Sequence, residues 1–484
     1  MCRYRAGVCI TALALTLFVS SPLRAQTARE DVAARISAEI ARLPKTVQAG
    51  VCVQDVSNGS VWFSHLQTQP LKPASVLKLF IMAAAIEHLG PDFAFSTDVY
   101  LHDDELWIVG GGDPGLGDPR LAERRGEQVM SVLERWADRL RGRGIRSIRK
   151  IVIDDSIFDR QFRHEDWPAD QSLRWYQAPV GGLNFNDNCL DTRIFVRDAR
   201  IVLEFVPSLP DSLIDNRLTL GGKHNPLIKR RTDGDVFILT GRVGKDAELG
   251  PISVRRPSLF FGHALGQALM TRDITVKQGV VRRALSPAML SGAARIASHR
   301  TPLADVLWRI GVFSQNLFAE CLLKALAAYE PDGRRRGSPG SWREGLAVLQ
   351  STLNGIGLDL NGAVFRDGSG LSHNNRVTAQ QVVELLRIMR PRPHSRLLTD
   401  NLARPGENGS LRRRYRDPVL RERLWAKTGT IQGVSTLAGY LERPDGTTLV
   451  FSILMNGNTK HVREFQDAVV RILLGETPGA SGSR

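Results

Sequence analysis

Cysteine is scarce in this chain, and long apolar runs are missing. There are five cysteines in 484 residues. Cys2 and Cys9 fall in an N-terminal stretch that reads as removable, which leaves Cys52, Cys189 and Cys321. An odd set at such wide spacing indicates neither a disulfide framework nor a cysteine metal site. Buried free thiols are the expectation, with at most one bonded pair. Beyond residue 25 no stretch is apolar over the roughly twenty residues that a membrane-spanning helix needs. Zinc-finger spacing and the aromatic signature of RNA-binding sheets are both lacking, so nucleic acid is not an expected partner. No segment repeats. The stretch 110–115 (Gly-Gly-Gly-Asp-Pro-Gly) lacks the Gly-Lys-Ser/Thr ending of a phosphate loop and reads as a tight turn. No metal or cofactor is implied.

Hydrophobic residues make up 42% and charged residues 24% of the chain, the composition of an ordinary globular protein. Its length allows two or three domains. Lys and Arg exceed Asp and Glu by 65 to 50, a net charge of +15. That excess suits an anionic wall polymer or membrane surface, and the arginine triplets at 334–336 and 412–414 are its densest points. At the N-terminus, Arg3 and Arg5 precede an apolar run (6–19) and a small-residue exit (20–25). This is the pattern of a secretory signal cut after Ala25, without a cysteine at a lipoprotein-like site. An exported chain starting at Gln26 is expected.

Residues 29–43 carry apolar positions at helical spacing. Runs 47–55 and 60–65 read as strands joined through Ser57-Asn58-Gly59. The segment that follows, up to Leu89, is apolar on nearly every side and reads as a buried helix. From about 91 to 290 short β-rich runs alternate with Gly, Pro and Asp turns, interrupted by a helix at 121–140. Helical patterns then dominate, at 303–312, 317–329, 342–353 and 378–389. Strands around Trp425, at 434–441 and at 448–454 precede a last helix over 459–474. The organisation expected is a signal (1–25), a first catalytic part (26–90), inserted β-rich domains (91–293), a second catalytic part (294–475) and a disordered tail (476–484).

Residues 73–80 read Pro-Ala-Ser-Val-Leu-Lys-Leu-Phe. Ser75 and Lys78 are three apart, so a helix opening here sets hydroxyl and amine side by side at its N-terminus. A buried amine with a depressed pKa can take the serine proton. The other Ser-x-x-Lys, Ser147 to Lys150, sits in a basic stretch entering a strand and reads as a solvated face. Downstream, Ser314-Gln315-Asn316 lies between two helices and Lys427-Thr428-Gly429 opens a strand pair. Asn316 can bind a substrate amide, and Ser314 can relay a proton to a leaving amine. Lys427 adds charge that depresses the Lys78 pKa and attracts a carboxylate. Gly429 lets substrate backbone approach. The N–H of Thr430 can join that of Ser75 as an oxyanion pair. Ser372-His373-Asn374 also fits Ser-x-Asn, but the ordered triple is the stronger signal.

With these motifs, the wide gap from Ser75 to Ser314, the run Asp367-Gly368-Ser369-Gly370-Leu371-Ser372 and the stretches 406–414, 426–433 and 437–440, the chain resembles the penicillin-binding protein 4-like D-alanyl-D-alanine carboxypeptidases/endopeptidases, the S13 peptidases. Trp167-Pro168, Ala178-Pro179 and residues 186–189 resemble that family's insertion. The resemblance implies a penicillin-binding protein/β-lactamase-like α/β fold, with helices packed on an antiparallel sheet split by a large β-rich insertion. It implies peptidoglycan stem peptides as substrate, β-lactams as covalent inhibitors and a periplasmic location. It also implies Ser75 as nucleophile, Lys78 as base, Ser314 and Asn316 as relay and amide binder, and Lys427, Thr428 and Gly429 as carboxylate and strand contacts. Two departures concern the far end of the stem peptide. His373 stands where relatives often have Arg, and Asp170-Gln171 where an acidic pair often follows Trp. A β-lactamase or esterase of the same fold and a non-catalytic wall-binding scaffold are the alternatives. N-terminal sequencing of exported protein is expected to begin near Gln26; an intact Met1 start would make the segment an anchor.

Overall fold

The computed structural model describes residues 13–231, 234–415, 417–457 and 462–476. Most of the expected tail, and the first half of the expected signal, lie outside the described residues. The helix expected at 29–43 belongs to a longer one, Leu13–Ala41, that runs back through the expected cleavage position. Among the described residues no helix is long and apolar enough to cross a membrane.

The apolar runs at the two ends of the sequence pair with each other. Val47–Asp55 lies antiparallel to Thr448–Gly457, with Val51 opposite Ile453 and Val53 opposite Phe451. The sheet they centre has five strands in the order Leu424–Ile431, Val434–Glu442, Thr448–Gly457, Val47–Asp55, Val61–His65, every neighbour antiparallel. Both faces are covered, which is why its inner strands carry apolar residues at successive positions. Leu13–Ala41 and Val462–Leu474 pack on one face around Val53, Phe451 and Ile453. On the other face lie Lys78–Leu89, Asn316–Ala328 and Ala379–Met389. Lys78–Leu89 is buried along nearly its whole length, as its all-round apolar sequence requires.

A second five-stranded sheet, in the order Val280–Arg282, Lys150–Asp154, Glu105–Gly110, Ala94–His102, Ala294–Pro302, mixes parallel and antiparallel pairs. Its last strand extends this sheet past residue 293, the expected boundary. Two three-stranded sheets stand beside it. The helix expected at 121–140 is two, Pro119–Arg124 and Ser131–Gly142, separated where Gly126 takes a positive φ of 67°. Pro257–Met270 is a helix that the β-rich reading passed over. Lys150 pairs with Glu105 at 3.0 Å, on a strand.

Buried ion pairs fasten these parts to the helices that carry the motifs. Arg309 meets Asp118 at 2.7 Å and Asp187 at 2.9 Å, and Lys324 meets Asp159 at 2.6 Å. Cys52, Cys189 and Cys321 are buried free thiols. Phe80 packs edge-on against Phe365, 5.4 Å between centroids, and is fully buried. Phe80→Ala is expected to cost about 3–5 kcal/mol, read as a lower urea midpoint with an unchanged m-value.

Candidate active site

Ser75 lies in a 3₁₀ turn, Ala74–Leu77, that runs straight into Lys78–Leu89. The Lys78 side chain is therefore one turn from Ser75 but points into the core, where it is fully buried. Its Nζ is 2.8 Å from Ser75 Oγ and donates to Asn316 Oδ1 at 2.8 Å and to the Ser369 carbonyl at 2.6 Å. Two of these three partners are carbonyl oxygens and can only accept. A neutral amine has two N–H groups for them, and its lone pair then faces the Ser75 hydroxyl. Burial, working against the more distant charges of Glu320 and Asp367, lowers the Lys78 pKa to about 7.

Lys427 Nζ contacts Ser314 Oγ at 2.8 Å and donates to the Thr428 carbonyl at 2.7 Å. It is fully buried and none of these partners is an acid. Burial first, and then the charge of Lys78, hold its pKa well below the usual lysine value. Repulsion between the two amines is mutual, and at Lys78 it is set against the nearby acids Glu320 and Asp367. Ser314 has a positive φ of 61°, a strained backbone for a serine. Asn316 opens the helix Asn316–Ala328, and its amide nitrogen donates to the Tyr176 carbonyl at 2.8 Å. Both ends of the Asn316 amide are therefore occupied by protein groups.

The strand Leu424–Ile431 is at the sheet edge. Ala426 exchanges both backbone hydrogen bonds with Ala403, at 3.0 and 3.2 Å, on the side away from the sheet. Backbone direction alternates along a strand, so Thr428 and Thr430 turn their N–H and C=O to that same free side. Beyond Ala426 this edge has room for an extended chain. Gly429 is required for a different reason from the one expected. A Cβ there would stand 2.2 Å from Thr436 Oγ1 and 2.8 Å from the Ser75 nitrogen. The missing side chain admits the turn that carries Ser75, bringing the Ser75 and Thr430 N–H groups to the same region.

A cleft of about 610 Å³ opens on Ser75, lined also by Ser314, Asn316, Thr428, Thr430 and Ile431. Its outer wall includes Gln171, Trp175, Tyr176 and His373. Gln171 Oε1 accepts from Tyr176 Oη at 3.0 Å. Asp170 is exposed and is not part of the lining, because the short turn Ala169–Gln171 directs it outward. Burial and the cations Lys72 and Arg376 lower the His373 pKa, so the imidazole is neutral at pH 7. None of the lining residues is acidic.

Sequence reasoning missed the residues behind the amine. Glu320 accepts from the backbone N–H of Gly368 and Ser369 at 2.9 and 2.8 Å and from Trp342 Nε1 at 2.7 Å. Asp367 accepts from Gly370, Ser372, Asn375 and Trp167. Together they fix the loop that presents the Ser369 carbonyl. Asp187 accepts from Gln315 at 2.8 Å and from Arg309 at 2.9 Å, which positions the Ser314–Asn316 turn. Two charged residues four apart, Glu320 and Lys324, in the mostly apolar helix Asn316–Ala328 were the available signal. Among the described residues no group of His, Cys, Asp and Glu converges to hold a metal ion.

Residues 32–474 match the family model described as the D-Ala-D-Ala carboxypeptidase 3 (S13) family. The chain is 32% identical over 494 aligned positions to the D-alanyl-D-alanine carboxypeptidase of an Actinomadura species, covering 94% of this chain and 87% of the relative. Its fold is similar to the crystal structure of penicillin binding protein 4 from Haemophilus influenzae, with a TM-score of 0.75 at 21% identity, covering 91% of this chain and 98% of that one. The same Haemophilus protein complexed with a β-lactam gives a TM-score of 0.70 at 20% identity, over 91% and 98% of the two chains.

With Lys78 as the base for Ser75, only the neutral amine can take the proton, and acylation by a β-lactam should fall about tenfold per pH unit below pH 7. Burial and the neighbouring charge of Asp367 raise the Glu320 pKa to about 7, so Glu320→Gln removes only a partial charge near Lys78 and sets an amide NH₂ against backbone donors. The acid limb should move slightly to lower pH, and the rate should drop on the plateau. An unmoved limb would dissociate Glu320 from Lys78.

Proposed function

The chain belongs to the D-Ala-D-Ala carboxypeptidase 3 (S13) family and is a serine-type D-Ala-D-Ala peptidase of peptidoglycan; from that premise we propose that Ser75 is its nucleophile and Lys78 the base. The observation that carries this is the Lys78 amine, 2.8 Å from Ser75 Oγ and held by two carbonyl acceptors; in its neutral form it has a lone pair for the Ser75 hydroxyl. Ser75 Oγ attacks the carbonyl carbon of the penultimate D-alanine while Lys78 takes the hydroxyl proton. The carbonyl oxygen becomes an oxyanion held by the N–H groups of Ser75 and Thr430. The C–N bond then breaks, and the amine leaves with a proton relayed through Ser314. Water hydrolyses the acyl-serine and restores the hydroxyl.

Lys427 is suited to the carboxylate beside the leaving amine. It lacks an acidic partner in the free protein, and an incoming carboxylate supplies the counter-charge that lets it ionise. The Thr428 N–H and the backbone of Thr430 offer strand edge to an extended peptide, while the Thr428 carbonyl accepts from Lys427. Penicillin is expected to form a long-lived adduct, since no acid lines the cleft to activate a deacylating water. This disfavours the β-lactamase alternative. An exported, periplasmic location and peripheral contact of the basic surface with anionic wall complete the reading. Intact mass and peptide mapping after penicillin treatment should place one adduct on Ser75 and none in Ser75→Ala; an adduct elsewhere rejects the mechanism.

At the far end of the cleft, Gln171 and neutral His373 stand where a diamino-acid side chain of the stem would reach. One neutral imidazole donor discriminates a free carboxylate from its amide less than a bidentate arginine does. His373→Arg should therefore raise the kcat/KM preference for the free carboxylate, by about tenfold. Strong preference already in the wild type, unchanged by the substitution, would remove His373 from the pocket.

A further inference from the structure

The fold treats the two arginine triplets differently. In the first, Arg334 pairs with Asp332 at 2.6 Å, Arg336 pairs with Glu330 at 3.2 Å, and Arg335 donates to the Gly110 carbonyl at 3.3 Å. In the second, Arg414 is held by Asp467 and Gln466. Arg412 and Arg413 are exposed, and among the described residues no acid or carbonyl meets either guanidinium. The same is true of Arg463, at the start of Val462–Leu474. Of the nearby arginines, Arg404, Arg423 and Arg443 are matched, with Glu407, Glu442 and Asp445, while Arg421 joins the exposed, acid-free set. What sets Arg412, Arg413 and Arg463 apart is that they share one cavity.

These three arginines, with Arg414, line one cavity of about 420 Å³ that has no acid in its wall. Part of that wall is the edge strand itself, Thr428, Gly429 and Thr430. The Ser75 cleft is also lined by Thr428 and Thr430, and it extends the other way, to Ile431, Gln432 and His373. The two spaces therefore meet along the strand edge beside the nucleophile. A substrate whose acyl side occupies the Ser75 cleft sends its leaving side toward the arginines.

A terminal D-alanine leaves with one carboxylate, and Lys427 suffices for it. Three further guanidinium groups call for more anionic charge than that. We propose that the cavity bounded by Arg412, Arg413 and Arg463 is a subsite for the leaving-side stem peptide of cross-linked peptidoglycan. Such a peptide carries carboxylates beyond the one next to its leaving amine, and guanidinium forks match them. The inference rests on the D,D-peptidase reading above and adds to it a preference for cross-linked over monomeric substrate. The bonds made and broken at Ser75 are unchanged, with a peptide amine in place of free D-alanine as leaving group. A patch serving only to hold wall polymer has no need to be a cavity that shares a wall with the reactive cleft.

The test is the ratio of kcat/KM for a cross-linked muropeptide dimer to that for a pentapeptide monomer. It is measured in the wild type, in the Arg412→Gln/Arg413→Gln/Arg463→Gln triple variant and in the corresponding triple Lys variant. The ratio should fall roughly tenfold in the Gln variant and largely recover with Lys. Added salt should lower it in the wild type. The single Arg412→Gln and Arg463→Gln variants, at exposed positions, should each move the ratio the same way and stand in if the triple variant misfolds. An unchanged ratio, or a wild type that cleaves monomer but not dimer, overturns the subsite. So does a Gln variant that loses retention on insoluble peptidoglycan while keeping the ratio. A wild type that cleaves neither substrate overturns the D,D-peptidase reading instead.

Discussion

The site depends on how one buried amine is solvated. Taking a lysine nitrogen out of water disfavours its charged form, and only oxygens placed around it offset that cost. Around Lys78 they are a hydroxyl, a side-chain amide oxygen and a backbone carbonyl. A carboxylate in direct contact would fix the ammonium form and leave no base. The acids are kept behind the loop instead, where Glu320 and Asp367 receive backbone N–H groups. Their charge reaches Lys78 only through space. Burial therefore prevails, and the pKa stands at about 7.

Each oxygen around that nitrogen is positioned by something farther off. The Asn316 amide is held from its other end by the Tyr176 carbonyl. The turn before it is held by Asp187, which sits among three consecutive residues with positive φ, Asn186 to Asn188. The Ser369 carbonyl belongs to a loop whose Gly370 could not carry a side chain. Its φ is 80°, and a Cβ would stand 1.9 Å from the Ala74 carbonyl oxygen. Trp167 closes the same loop through Asp367. Several of these supports come from the long stretch between the two halves of the motif set. That stretch builds part of the active-site wall as well as standing beside it.

Much of this was legible in the sequence. The apolar runs at both ends, the buried helix after Ser75 and the ordered motifs are patterns of local spacing. The sheet, the cleft and the Ser75–Lys78–Asn316 contacts follow from them. What stayed hidden was set by tertiary contact. Glu320 and Lys324 sit four apart in a mostly apolar helix, and nothing local says that the Glu320 oxygens will meet the N–H groups of Gly368 and Ser369. Gly429 was read as clearance for substrate, when the close neighbour is the nucleophile turn. Asp170 and Gln171 are adjacent in sequence, and only the turn that carries them decides which one faces the cleft. The single helix expected at 121–140 divided because a glycine in left-handed geometry ends the first piece.

The pairing of Val47–Asp55 with Thr448–Gly457 also constrains when the protein can become active. The strand that follows the first helix finds its inner partner only near the end of the chain. Contacts of such sequence separation form late, since loop closure must precede any reward from pairing. The middle sheets draw all their strands from residues 94–302 and can fold while the C-terminal residues are still arriving. A chain that emerges N-terminus first therefore carries Ser75 through synthesis without the edge strand at Leu424–Ile431 that lines the same cleft. Enzymatic power arrives with the last strands, so a truncated or unfinished chain is harmless to the polymer it is built to cut.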